Sequence, residues 1–179
     1  MSDLHVKELI LVLGGARSGK SSWALHYTED HYDSYLFLAT ARSIDDEMAE
    51  RIRLHKSSRG PDWHLLEEPL EISKALREQC NHVEAVLIDC LTVWLSNVLF
   101  EKGHDQIYVY EDDLLKTLSA RERSIIVVSN ELGMGIIPET PLGRQFRDLS
   151  GQINQDLAAM ADKVILLTAG LPTYLKGTP

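Results

Sequence analysis

The run Gly14-Gly15-Ala16-Arg17-Ser18-Gly19-Lys20-Ser21 spaces its glycines, one lysine and one hydroxyl as G-x-x-x-x-G-K-[ST]. That pattern suits a polyphosphate. Glycines let successive backbone N–H groups curl round the anion, and the helix that follows turns its positive N-terminal end to the same charge. Lys20 is expected to reach the β- and γ-phosphates, and the Ser21 hydroxyl to ligate Mg²⁺. So short a pattern needs its context, and the context is present: the apolar run Leu9 to Leu13 reads as a strand before it, and Ser22 to about Glu29 as a helix after it. The loop is therefore read as a nucleotide site rather than a glycine-rich turn.

A Mg²⁺ held by Ser21 needs an acidic partner, and Val86-Leu87-Ile88-Asp89 ends an apolar strand in a carboxylate. After the run Ile125 to Val128 comes Ser129-Asn130-Glu131, then Gly133, Gly135 and Pro138, a shaped loop at the edge where parallel sheets bind ligands. Glu131 has two readings there, orienting a substrate hydroxyl or capping its own loop. His55 also has two. Ile44, Met48, Ile52 and His55 recur at helical spacing, with Arg51, Lys56 and Arg59 nearby. A histidine in a last helical turn is favoured by the helix dipole alone. A neutral imidazole beside bound phosphates could instead attack an α-phosphate and form a phosphoramidate.

These groups need a scaffold. Apolar runs at 9–13, 35–39, 85–88, 125–128 and 164–167, separated by helical patterns, predict a parallel sheet covered on both faces. Ser43 with Asp46 starts a helix in capping-box fashion, and Gly60-Pro61 stops it near Ser57 or Ser58. Residues 63–67 predict a short strand; 70–79, 91–100 and 142–162 predict helices. Residues 101–110, polar and glycine-containing, predict a surface excursion. In the last helix Phe146, Leu149, Ile153, Leu157 and Met160 form the apolar face, Gly151 implies a close neighbour, and Arg144, Arg147 and Asp148 read as a solvated face. The chain has 179 residues, enough for one domain spanning 1–179 with its own core. Its formal net charge of -9 and lack of a basic run disfavour a nucleic-acid backbone as partner. With no apolar leader or membrane-length span, Cys80 and Cys90 are expected to be reduced thiols in the cytoplasm, packed rather than reactive.

Taken together the motifs resemble the cobinamide kinase/cobinamide-phosphate guanylyltransferase family over nearly the whole chain. The resemblance rests on the loop 14–21, on Leu38-Ala39-Thr40-Ala41, on Arg51-Ile52 with His55, and on Trp63 with Glu67. It continues through Asp89-Cys90-Leu91-Thr92 with Trp94 and Asn97, through 130–138, and through Gly143-Arg144-Gln145-Phe146-Arg147-Asp148 to Asn154-Gln155. Leu132 and Ile137 stand where valine is common in that family, a change of about one methylene.

The resemblance implies a P-loop NTPase-like α/β three-layer sandwich with a mostly parallel central sheet, working in cobalamin biosynthesis. It implies phosphorylation of the aminopropanol hydroxyl of adenosylcobinamide by ATP or GTP. Transfer of GMP from GTP through a guanylylated histidine would follow, giving adenosylcobinamide-GDP and pyrophosphate. Carried onto this sequence, the catalytic histidine is His55. Nucleotide contacts fall to Gly14, Gly15, Ala16, Arg17, Ser18, Gly19, Lys20 and Ser21, to Thr40, Ala41 and Arg42, to Lys56, Ser57, Ser58 and Arg59, and to Glu67 and Asp89. Ser21 and Asp89 would hold Mg²⁺, and the family resemblance implies a homotrimer. Two rivals are a kinase in which His55 is structural, and a nucleotide-gated interaction protein with no corrinoid turnover.

Overall fold

The computed structural model describes residues 6–42 and 60–179. The helix expected from Ser43, with His55 on it and Lys56, Ser57, Ser58 and Arg59 after it, lies outside the described residues. Among the described residues seven strands form one sheet: β1 (Leu9–Gly14), β2 (Tyr35–Ala39), β3 (His64–Glu67), β4 (Ala85–Asp89), β5 (Ser124–Asn130), β6 (Lys163–Thr168) and β7 (Leu171–Lys176). Their order is β3-β2-β4-β5-β1-β6-β7. All neighbours run parallel except β6 and β7. The described helices are α1 (Lys20–His31), α2 (Ile72–Gln79), α3 (Leu91–Lys102), α4 (His104–Ser119) and α5 (Pro141–Met160). This is the expected three-layer α/β sandwich with a mostly parallel central sheet.

The unbroken apolar strands divide by parity, because successive side chains point to opposite faces. Leu9, Leu11 and Leu13 join Val86, Ile88, Ile125 and Val127 in a core with Leu76, Trp94, Ile107, Leu114 and Ile153 from α2 to α5. Ile10 and Val12 join Phe37, Leu87, Ile126 and Ile165 on the other face, under Ala24, Leu25 and Tyr27 of α1. With both faces covered, neither alternation nor polar residues interrupt the central strands.

Three expectations fail. Residues 101–110 are not an excursion: α3 runs to Lys102, Gly103 turns the chain at φ 84°, and α4 starts at His104. Its polar residues hide a helix anchored by the buried Ile107 and Leu114, about one apolar contact per turn or two. Gly151 has no close neighbour, since a Cβ there would meet open space. Arg144 does not belong to a solvated face, because its Nη1 donates to the carbonyls of Pro138 and Glu139 at 3.0 and 2.8 Å.

β7 was not expected. It is mostly exposed and turns back from β6 through Ala169 and Gly170, both at positive φ (52° and 83°), as a tight hairpin requires. No helix among the described residues is long and apolar enough to cross a membrane.

Candidate active site at the carboxyl edge of the sheet

β1 delivers the glycine-rich loop and α1 receives it. Gly14 must be glycine: a Cβ there would collide with the Ser18 side chain and lie 2.8 Å from the carbonyl of Leu167. Arg17 and Gly19 take positive φ (58° and 91°), the reversal that bends the loop into the helix. Gly170 N–H donates to the Ser18 carbonyl at 2.9 Å and Glu131 N–H to the Gly14 carbonyl at 3.0 Å. The loop is thus tied on both flanks, by the β6–β7 turn and by the segment leaving β5.

Within it Lys20 is only 8% exposed, and its Nζ donates to the carbonyl of Gly15 at 2.9 Å. Desolvation pulls the ammonium below its ordinary range, and the neighbouring Cys90 and Asp89 only partly offset it. A desolvated cation that gains an anionic partner recovers the charged form fully. The Ser18 hydroxyl is buried with no hydrogen-bond partner among the described residues. That orphan donor, at the base of a loop of backbone amides, fits an oxyanion ligand.

Asp89 ends β4, and β5 lies between it and β1, pairing Gly14 with Asn130 and Asp89 with Val128. Two strand spacings put the two strand ends about 10 Å apart. Ser21, half-buried in the first turn of α1, and Asp89 offer hard oxygen donors of the kind Mg²⁺ accepts beside phosphate oxygens.

Thr40 is fully buried, and its hydroxyl donates to the Cys90 carbonyl at 2.8 Å while accepting from the Cys90 N–H at 2.9 Å. It fixes the ends of β2 and β4 to each other, with Asn97 Nδ2 donating to its carbonyl at 2.9 Å. Ala41 and Arg42 follow at the same edge, and Arg42 pairs with Glu101 of α3. Glu67 is exposed at the end of β3, paired in register with Ala39. Burial, with Asp89 alongside, pushes the Cys90 thiol up to about 12, so it serves as packing and not as a nucleophile. The Glu131 carboxylate accepts from Gly133 N–H at 2.5 Å, the loop-capping role.

Several contributors were not singled out as site residues from sequence. Thr92 Oγ1 accepts from Asn130 N–H at 2.8 Å and lies 3.4 Å from the Ser129 hydroxyl. Asn154 of α5 donates to the Asn130 carbonyl at 3.1 Å. These polar residues facing buried positions were the available signal, since a buried hydroxyl or amide must have a partner.

A model of the family described as cobinamide kinase / cobinamide phosphate guanyltransferase matches residues 10–175. This chain belongs to that family. As a member it is a nucleotide-using enzyme with those two activities. The bifunctional adenosylcobalamin biosynthesis protein CobP of Pseudomonas aeruginosa is 38% identical to it, over 94% of this chain and 98% of its own length. The bifunctional adenosylcobalamin biosynthesis protein CobU of Escherichia coli K12 is 36% identical, over 94% and 99%. A KaiC-like protein of Pyrococcus horikoshii superposes on 89% of this chain and 70% of its own, with TM-score 0.49 and 12% identity.

Proposed function

We propose that this enzyme acts in cobalamin biosynthesis and runs both of its reactions at the carboxyl edge of the sheet, phosphorylating cobinamide with ATP or GTP and then joining GMP to the cobinamide phosphate. The observation that supports this reading is the loop itself: a buried Ser18 hydroxyl without a partner among the described residues, and Lys20 held against the Gly15 carbonyl.

In the kinase step the loop amides bind the β- and γ-phosphates, and Lys20 leaves the Gly15 carbonyl for the anion. The hydroxyl oxygen of cobinamide attacks the γ-phosphorus as the bond to the β-phosphate oxygen breaks. Such a step needs positioning and charge neutralisation more than covalent help. Bound Mg²⁺ would supply charge neutralisation at the phosphates, with Ser21 and Asp89 as its protein ligands.

For the transferase step we assign His55 as nucleophile. An imidazole nitrogen attacks the α-phosphorus of GTP and pyrophosphate leaves. A phosphate oxygen of cobinamide phosphate then displaces the imidazole, giving the GDP derivative. Splitting one hard displacement into two is the general advantage of a covalent intermediate. Arg42, Lys56 and Arg59 are the candidate cations for the departing pyrophosphate, and Ala41, Ser57, Ser58 and Glu67 complete the proposed nucleotide surroundings.

The test is incubation with α-labelled GTP, denaturation and an acid challenge. Acid-labile label on the protein, absent from His55→Ala, is the expected result. Unlabelled protein with full kinase turnover would assign His55 a structural role and remove the covalent route.

A further inference from the structure

α4 and α5 both run from the carboxyl edge of the sheet toward its amino edge. Asn154 bonds to the carbonyl of Asn130, the last residue of β5. The earlier turns of α5, about 20 Å of helix at about 1.5 Å per residue, lead away from that point, with Phe146 and Leu149 still packed on the core. On α4 the Tyr110 hydroxyl donates to Glu71, just past β3, at 2.7 Å, and the first turns of α4 precede that contact.

Between the early turns of the two helices lies a groove of about 690 Å³, lined by His104, Tyr108, Leu142, Gln145, Leu149 and Gln152 among others. That volume lies within the roughly 300–1,000 Å³ of small-molecule sites. No lysine or arginine lines it, so it does not suit a phosphate. Its polar groups are the Gln145 and Gln152 amides, the Tyr108 phenol, the His104 imidazole and the Asp148 carboxylate, set among Leu142 and Leu149. Gln152 Nε2 donates to Asp156 at 3.1 Å, and its carbonyl oxygen keeps its acceptor capacity.

One turn further along the same faces, Glu111 is 8% exposed and its Oε1 has no partner among the described residues. Burial, then the charge of Asp156, raises its carboxyl above the usual range. On the same helix pair, this buried acceptor is a polar group that the described residues leave unsatisfied. From the loop side, Met134, Ile136 and Ile137 stand 80%, 96% and 65% exposed on the segment that joins β5 to α5. That segment begins at the hydrogen bond from Glu131 to Gly14. An apolar ledge thus starts beside the phosphate loop and leads toward the groove.

We propose that the groove between the early turns of α4 and α5 seats the carboxamide-fringed edge of the corrinoid, with the macrocycle lying on the apolar ledge of Met134, Ile136 and Ile137. A corrinoid is an apolar macrocycle ringed by neutral primary amides, each a donor and an acceptor. Gln145, Gln152 and Tyr108 match those amides, the Asp148 carboxylate can accept from their N–H groups, and the lack of lysine or arginine in the groove gives nucleotide phosphates no partner there. The assignment rests on the corrinoid kinase reading, and it adds where the acceptor alcohol is held.

The test compares the wild-type enzyme with Tyr108→Ala/Gln145→Ala/Gln152→Ala and, separately, with Gln145→Arg. All three positions are exposed, so the fold should persist, and circular dichroism checks it. Cobinamide binding is read by equilibrium dialysis at the corrinoid absorbance, GTP binding by calorimetry, and kinase KM and kcat by turnover. The expected result is a cobinamide Kd and KM raised at least about tenfold, the loss of two or three hydrogen bonds, with GTP affinity within about twofold of wild type. Unchanged cobinamide affinity in both variants overturns the groove assignment alone, and a changed sedimentation coefficient alongside it would give the groove to a second copy of the chain. A wild-type enzyme that binds GTP but neither binds nor phosphorylates cobinamide overturns the corrinoid reading and the groove with it.

Discussion

The two sides of the carboxyl edge are built by opposite means. The phosphate loop is mostly backbone: it is held by amide hydrogen bonds to Gly170 and Glu131, closed by Lys20 on Gly15, and so tight at Gly14 that no side chain fits. The groove between α4 and α5 is made of side chains, with Tyr108, Gln145 and Gln152 exposed along it and open space even at Gly151. A phosphate is the same in every nucleotide, so a fixed cage of amides serves it, and preorganised dipoles need no rearrangement at the transition state. A large neutral substrate is recognised by the identity of many side chains, which a helix pair can present without strain.

That contrast can be broken, most forcefully at Lys20. Lys20→Ala should lower kinase kcat/KM by about 10²–10³-fold, the usual cost of removing one preorganised charge-stabilising donor. Tm should change little, because the amine is desolvated at a cost in the folded protein. A variant that keeps its turnover would remove the lysine from the phosphate site.

Gly14→Ala comes next. A Cβ there meets the Leu167 carbonyl at 2.8 Å, so backbone must move, and urea unfolding should show a loss of about 1–3 kcal/mol. The matching change on α5 has the opposite sign. Gly151→Ala enters open space on a helix, and the propensity difference should stabilise the protein by up to about 1 kcal/mol. If both changes destabilise equally, the rigid-versus-open distinction is wrong.

Glu111 gives the smallest effect and the finest discrimination. Burial and the charge of Asp156 raise its folded carboxyl above the ordinary value of 4.5. The charged form therefore disfavours folding at pH above the raised value, and the penalty fades as pH falls through that value and is gone below 4.5. Wild type should gain stability relative to Glu111→Gln when Tm is measured at pH 5 instead of pH 7.5. A difference that is flat with pH would mean that Glu111 has a partner in the folded protein.

Much of the site was legible in the chain because it is local. The loop 14–21 carries its own spacing, and the strands before it and at 85–88, 125–128 and 164–167 are unbroken apolar runs that only a doubly covered sheet can bury. Asp89 was legible as a carboxylate ending such a run. Residues 101–110 were not, since a helix showing one buried isoleucine among acids and tyrosines has nearly the composition of a loop. Thr40 was expected to line the cleft. Its hydroxyl instead clamps β4 to β2 through Cys90, a pairing across fifty positions that no local pattern encodes.

The sequence by itself determined a phosphate cage and the parallel sheet under it, because glycine spacing and apolar runs act over a few neighbouring residues. Tertiary structure decided that β5 separates Gly14 from Asp89, that the β6–β7 turn closes on Ser18, and that α4 and α5 enclose a groove between them. Each of these joins segments far apart in the chain. Which segments meet depends on how the two apolar faces of the sheet are best covered, a property of the whole core and not of any one stretch.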